Sequence, residues 1–236
     1  MTSLLPSSEK RKQYELRALG LRDFAGVEAE QPLDPFMLAE FAKLLVVDFE
    51  QIKGLSDESR EHLLGDAADE WSGGACARPL PNGWKIVILN PAHGLHRNRA
   101  TLMEEISHVF LGHQANRLAV MSEPRSTRSA TEKKEGILSG NSLNLHPDPL
   151  PKGEGTSPKV LARDYNKADE EAAYAVGAAA LVPFAALRRA VFAGHTAEQI
   201  ARRFGVSRQL VEYRIKVTHL WAEYKAASST SRHQHV

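Results

Sequence analysis

The chain has 236 residues, 42% of them hydrophobic and 25% charged, with a formal net charge of +1. That length accommodates one substantial globular domain and a small appendage, and the balance excludes a chain disordered throughout. A single cysteine, Cys76, excludes an internal disulfide framework, and the longest apolar stretch, Ala172 to Val182, is too short and too alanine-rich to cross a bilayer.

The opening residues, Met1 to Lys10, lack the apolar core of a signal peptide, so the expected location is the cytoplasm, with no membrane partner. Charge is unevenly spread. From Phe184 onward nine Lys and Arg face three acids, so this end is +6 and the remainder −5. Such asymmetry permits contact with nucleic acid or an acidic partner, although a basic solvated surface is the commoner cause.

In chain order, residues 1 to 12 are polar, and Tyr14 to Leu21 and Pro35 to Leu45 carry apolar residues at helical intervals. Asp34-Pro35 supplies a cap and an N1 proline for the second of these helices. Leu44-Leu45-Val46-Val47 reads as a short strand, and Ser56 to Leu64 as a short helix with Ser56 as N-cap but no capping box, since Ser59 stands where a glutamate or glutamine would close it. From Trp71 the chain changes character. Gly73-Gly74, Pro79, Pro81 and Asn82-Gly83 punctuate it, Asn82-Gly83 signals a hairpin, and Trp84 to Leu89 is the clearest strand. A loop holding His93, His96, Arg97 and Arg99 then leads into a helix from about Arg99.

Residues 122 to 160 contain five prolines, several Gly and Ser and few apolar side chains, which predicts a long exposed insertion with little fixed structure. Lys167 to Leu181 is small and apolar on most faces and so reads as a buried helix closed by Val182-Pro183. Ala197 to Phe204, Gly205-Val206 and Ser207 to Ile215 read as two short helices joined by a glycine turn, the pattern of a helix-turn-helix. Beyond Ala226 the tail is Ser-rich and polar.

The chemistry concentrates in Leu102 to His113. Leu102, Ile106, Val109 and Phe110 recur at helical spacing, which stacks Glu104 and His108 one turn apart on one face with Glu105 beside them. This is the layout of the H-E-x-x-H helix of zinc peptidases, with two ligands at i and i+4 and a glutamate base between, except that a glutamate occupies the first ligand position. The plain alternative is an amphipathic helix exposing two acids and a histidine. A metallopeptidase needs about three protein ligands and a base. Asp169-Glu170-Glu171 opens the buried helix and can supply the third ligand, although acids also favour a first turn for the helix dipole alone. Glu171 is the preferred ligand and Glu170 the competing assignment. His113 does not fit the metzincin spacing, because Leu111 and Gln114 stand where that pattern needs Gly and His, and is therefore read as structural or as a support to the ligands. His93, His96 and His146 are read as ordinary loop histidines.

Leu102-Met103-Glu104-Glu105-Ile106-Ser107-His108 with Leu111-Gly112-His113, the preceding Ile88-Leu89-Asn90-Pro91, and Glu170 to Tyr174 leading to Leu181-Val182-Pro183 resemble the ImmA/IrrE family of metallo-endopeptidases. The resemblance covers roughly residues 30 to 220, interrupted by the insertion. It implies an α+β fold, mainly helical, with a zincin-like minimal metallopeptidase core, a small antiparallel or mixed sheet and a helix-turn-helix-like C-terminal segment. The implied division is an N-terminal helical or flexible segment at 1–30, the metallopeptidase domain at 31–183, the helical segment at 184–225 and a disordered tail at 226–236. It further implies a cytosolic peptidase, since characterised members cleave DNA-binding repressors and release stress-response genes or mobile elements. By this carry-over His108 is a ligand, Glu105 the catalytic base and Glu171 the third ligand.

Glu104 departs from the family's usual histidine. A carboxylate can bind zinc, but two carboxylates and one imidazole neutralise the ion, weaken its pull on water and favour harder metals such as manganese, so the cofactor expected is zinc or manganese. A reading from another class is a non-catalytic DNA-binding or interaction protein that keeps the fold, with Arg208 and Arg214 as DNA contacts.

Overall fold

The small, apolar stretch after Asn166 does form a helix, and the other elements pack around it. A computed structural model describes residues 4–76, 78–113, 118–122, 159–163 and 166–232. Over these the chain is mixed α+β and mostly helical. Its elements are α1 (Glu9–Phe24), α2 (Pro35–Ala39), β1 (Leu44–Val47), α3 (Asp57–Leu64), β2 (Gly73–Ala75), β3 (Lys85–Leu89), α4 (Leu95–Phe110), β4 (Leu118–Ser122), β5 (Lys159–Arg163), α5 (Lys167–Leu181), α6 (Phe184–Phe192), α7 (Ala197–Phe204), α8 (Arg208–Val217) and α9 (Trp221–Arg232).

The first sheet is mixed, in the order β1-β3-β2, with β1 parallel and β2 antiparallel to β3. Leu80 accepts from the Gly83 amide at 2.8 Å, and Gly83 takes φ +81, so Asn82-Gly83 makes the turn that brings β3 back along β2. Parallel pairing of β1 to β3 requires a long crossover, and α3 with its flanking loops provides it.

Four expectations shift. The helix predicted to run from Pro35 to Leu45 ends at Ala39, because Lys43 adopts φ +53 and Leu44–Val47 are taken into the ladder with β3. The helix bearing Glu104 begins at Leu95 rather than Arg99: Asn90 caps the preceding turn through the Ala92 amide, and Gly94 is the N-cap, so His96, Arg97 and Arg99 are helical. The tail expected from Ala226 is instead helical to Arg232, as α9 is anchored by Leu220, 5% exposed, and by the Tyr224 hydroxyl, which accepts from the Ala197 amide at 3.0 Å. The segments that flank the predicted insertion, overlapping it at Ser122 and at Lys159 and Val160, form a second, antiparallel sheet, β4 with β5, in the register Leu118↔Arg163 to Ser122↔Lys159; the rest of that insertion, 123–158, lies outside the described residues.

One cluster of buried apolar residues extends from Tyr14 to Leu220, crossing residue 183 without a break. Its centre is the packing of α4 on α5. Leu102, Met103 and Ile106 from α4 and Val176 and Ala180 from α5 belong to this cluster, each at most 4% exposed. Each large side chain so buried contributes about 1.5–3 kcal/mol. Close approach depends on Gly177: a Cβ there would stand 3.2 Å from both the Met103 carbonyl oxygen and Ser107 Oγ. Around this pair, α7 opens with a complete capping box, Thr196 with Gln199, and ends at Gly205 with φ +64, and Ser207 caps α8. No single helix among the described residues is long and apolar enough to cross a membrane.

Candidate metal centre

The close packing of α4 on α5 decides which polar side chains meet at its edge. From α4 come Glu104 and His108, one turn apart; from the first turn of α5 comes Glu170. One ligand atom from each lies within 4.8 Å of the others, and His108 Nε2 is 3.3 Å from Glu170 Oε2. All three side chains are partly buried.

Of the two candidate third ligands, the structure brings Glu170, not the preferred Glu171, to Glu104 and His108. One residue along a helix turns the side chain by about 100°, and Glu171 therefore faces α1, where Lys10 Nζ lies 2.7 Å and Arg11 3.8 Å from its carboxylate. The Lys10 hydrogen bond holds the Glu171 carboxyl below its ordinary range. Glu170 lies seven residues before Gly177, the residue of α5 that abuts Met103 and Ser107 of α4, and so shares its face; small residues occur on several faces of α5, so the sequence alone did not single that face out.

Electrostatics mark the cluster as deficient in positive charge. Burial, with the charges of Glu105 and Glu170, raises the Glu104 carboxyl from 4.5 to about 7, partly offset by His108. Burial opposes the charge on His108, but its hydrogen bond to Glu170 and the carboxylates of Glu170, Glu105 and Glu104 outweigh this and raise it. Three acids crowded around one imidazole are what a divalent cation relieves. Two carboxylates and one imidazole form a three-donor set suited to zinc or manganese.

Glu105, about 100° around the helix from Glu104, lies beside the cluster and toward the sheet. Its Oε1 lies 3.9 Å from the position a Cβ would take on Gly74 of β2. Gly74 thus leaves room between the carboxylate and an edge strand. Tyr174, one turn after Glu170, carries a hydroxyl pushed up to about 12 by burial, Tyr213 and Glu104, so it stays a donor beside the acids. Its ring meets Tyr213 edge-on at 5.0 Å. The spacing of four from Glu170 was the available signal for it.

His113 sits against the site, its Nδ1 3.1 Å from His108 Nδ1, and burial lowers its basicity. His93 is buried at the head of α4 rather than solvated, His96 is exposed on the first turn, and His146 lies outside the described residues. Of the two arginines read as DNA contacts, Arg214 is corrected: it is 3% exposed and paired with Glu15 at 2.7 Å. A charge on α8 four residues from the buried Leu210 and one before the buried Ile215 lies on the core side. Arg208 remains on the surface, bonded to Glu212 at 2.6 Å and Glu198 at 2.9 Å.

Comparison with protein-family models, with curated proteins and with solved structures finds no match.

Two expected results follow from the geometry. Zinc or manganese titration of Glu170→Gln should show at least about a tenfold loss of affinity, whereas Glu171→Gln should bind as the unsubstituted protein does. The reverse order would restore Glu171 as the ligand. The second concerns pH. A carboxyl raised from 4.5 to about 7 on folding stabilises the metal-free protein fully below pH 4.5, and that stability is lost as pH rises toward 7. The loss is bounded at about 3 kcal/mol, and His108, also raised, adds in the same direction. Urea unfolding of the metal-free protein between pH 5 and 8 should show this slope, and Glu104→Gln should flatten it; equal slopes in both would refute the crowding of Glu104.

Proposed function

We propose that the protein is a metal-dependent endopeptidase of the ImmA/IrrE type, acting in the cytoplasm on a DNA-binding regulator, most simply a helix-turn-helix repressor. The observation that carries the reading is the convergence of Glu104, His108 and Glu170 from two helices, with Glu105 beside them facing an edge strand. When bound, a divalent ion supplies Lewis-acid polarisation of the scissile carbonyl and acidifies water.

The chain's own residues account for the rest. Glu105 accepts a proton from the attacking water as the new C–O bond forms, and returns it to the amine nitrogen as the C–N bond breaks. Among the described residues β2 has a neighbour on one side only. Ladder bonds at Ser72 and Cys76 direct alternate peptide groups to β3, so those of Gly73 and Ala75 face the open edge, where an extended peptide can add as a strand. Such binding brings a main-chain carbonyl past Glu105. The acid at position 104 cancels more of the cation's charge than histidine would, which favours manganese over zinc relative to a two-histidine site.

The reading in which α7 and α8 bind DNA draws on Arg208 alone, since Arg214 is inside the core. The deciding experiment incubates the metal-loaded protein with helix-turn-helix repressors, beginning with any encoded beside its gene. Cleavage that chelation stops supports the proposal; stoichiometric metal with an intact repressor overturns it.

A further inference from the structure

We propose that His113, oriented by Asp169, accepts a hydrogen bond from His108 and positions it for the metal, a relay from the start of α5 to the ligand. The inference rests on the metal-centre reading and deepens it. Metal-binding histidines commonly give their second ring N–H to an acceptor that fixes the ring and its tautomer. In this protein the group at that place is another imidazole.

Local backbone geometry brings it there. Gly112 takes φ +69 directly after α4, a left-handed conformation that glycine adopts without strain. The chain folds back, the His113 amide donates to the His108 carbonyl at 3.0 Å, and the two rings meet edge to face with centroids 5.1 Å apart. The result is the 3.1 Å contact between the two Nδ1 atoms.

Only one distribution of protons suits a ligand role for His108. Its Nε2 faces Glu170 and is the atom available to a cation, so the proton of a neutral His108 is on Nδ1. That N–H donates to His113 Nδ1, which must be unprotonated. The His113 proton is then on Nε2, and Nε2 is the atom directed at Asp169 Oδ1, 3.7 Å away, where the N–H dipole of the neutral ring points at the carboxylate from beyond hydrogen-bond length. Asp169 is itself held, because its Oδ2 accepts from Asn166 Nδ2 at 2.8 Å, and Asn166 caps α5 by accepting from the Ala168 amide at 3.1 Å. The relay therefore runs from the capped start of α5, through His113 at the end of α4, to His108. It joins the two helices that carry the metal ligands, and His113 is a positioning residue rather than a ligand.

The test compares zinc binding, by competition with a chromophoric chelator, in the unsubstituted chain and in His113→Phe, His113→Asn and Asp169→Asn. Phenylalanine fills the space without an acceptor, whereas the asparagine oxygen can stand near the place of Nδ1. His113→Phe should weaken zinc binding about 10- to 100-fold, His113→Asn should recover most of it, and Asp169→Asn should weaken it by less in the same direction. Nitrogen-15 spectra of the zinc-loaded chain should show His108 protonated at Nδ1 and His113 at Nε2, a signature that a merely space-filling His113 would not require. Equal affinity in His113→Phe, failure of His113→Asn to improve on it, or a proton on His113 Nδ1 overturns the relay while leaving the metal centre intact. If His113→Phe does not fold, unaltered affinity in Asp169→Asn overturns it instead. Absence of zinc and manganese binding in the unsubstituted chain overturns the metal centre and the relay together.

Discussion

Under the proposed peptidase function, Glu105→Gln should lower cleavage of a repressor substrate by about 10²- to 10⁴-fold while the protein keeps its metal and its fold. The reason is in the geometry of α4. Glu104 and His108 lie on the side of the helix that meets Glu170, whereas Glu105 is rotated toward Gly74 of β2. A glutamine there retains shape and hydrogen bonding but accepts no proton, so the effect should fall on turnover. Metal analysis of the same sample is the control, because His108→Ala should abolish activity by removing a ligand, and the two losses differ in whether metal is retained. Full activity in Glu105→Gln would exclude it as the base.

The second large effect concerns stability. Glu15 of α1 and Arg214 of α8 are 1% and 3% exposed, and form an ion pair at 2.7 Å. Both are further engaged: the Phe184 amide donates to Glu15, and Arg214 Nε donates to the Val182 carbonyl at 3.1 Å. These bonds satisfy backbone groups at the break between α5 and α6, where Pro183 ends the run of helical bonding. Removing one partner leaves a charge buried without compensation, and Arg214→Met alone should cost about 3–5 kcal/mol in urea unfolding. Replacing Glu15 and Arg214 together by apolar residues of similar volume should restore most of that loss. Arg208→Ala should change stability far less than Arg214→Met, because Arg208 is exposed and its ion pairs are screened by solvent. Equal costs for the two arginines would contradict the burial of Arg214.

Much of this was legible before any coordinates. Asp34 accepts from the Phe36 amide and Ser56 from the Ser59 amide, as their cap positions imply, and Leu44–Val47, Lys85–Leu89 and Lys167–Leu181 take the forms their patterns predict. These are local properties, fixed within one turn or one ladder position. The strands Leu118–Ser122 and Lys159–Arg163 escaped because each is the other's partner across a long separation, with no short hairpin turn joining them.

By itself the sequence determined that Glu104, Glu105 and His108 share one helix, since a period of 3.6 residues suffices for that. It also brought acids to the start of α5, narrowing the candidate third ligand to two neighbours. The tertiary structure alone decided between them. Which of Glu170 and Glu171 faces α4 depends on the rotation of α5 about its axis, and that rotation is set by long-range packing, with Gly177 against Met103 on one side and Lys10 drawing Glu171 on the other. The same reason explains Arg214: a charge on a helix face declares itself as surface or core only when the distant partner, here Glu15, is in place.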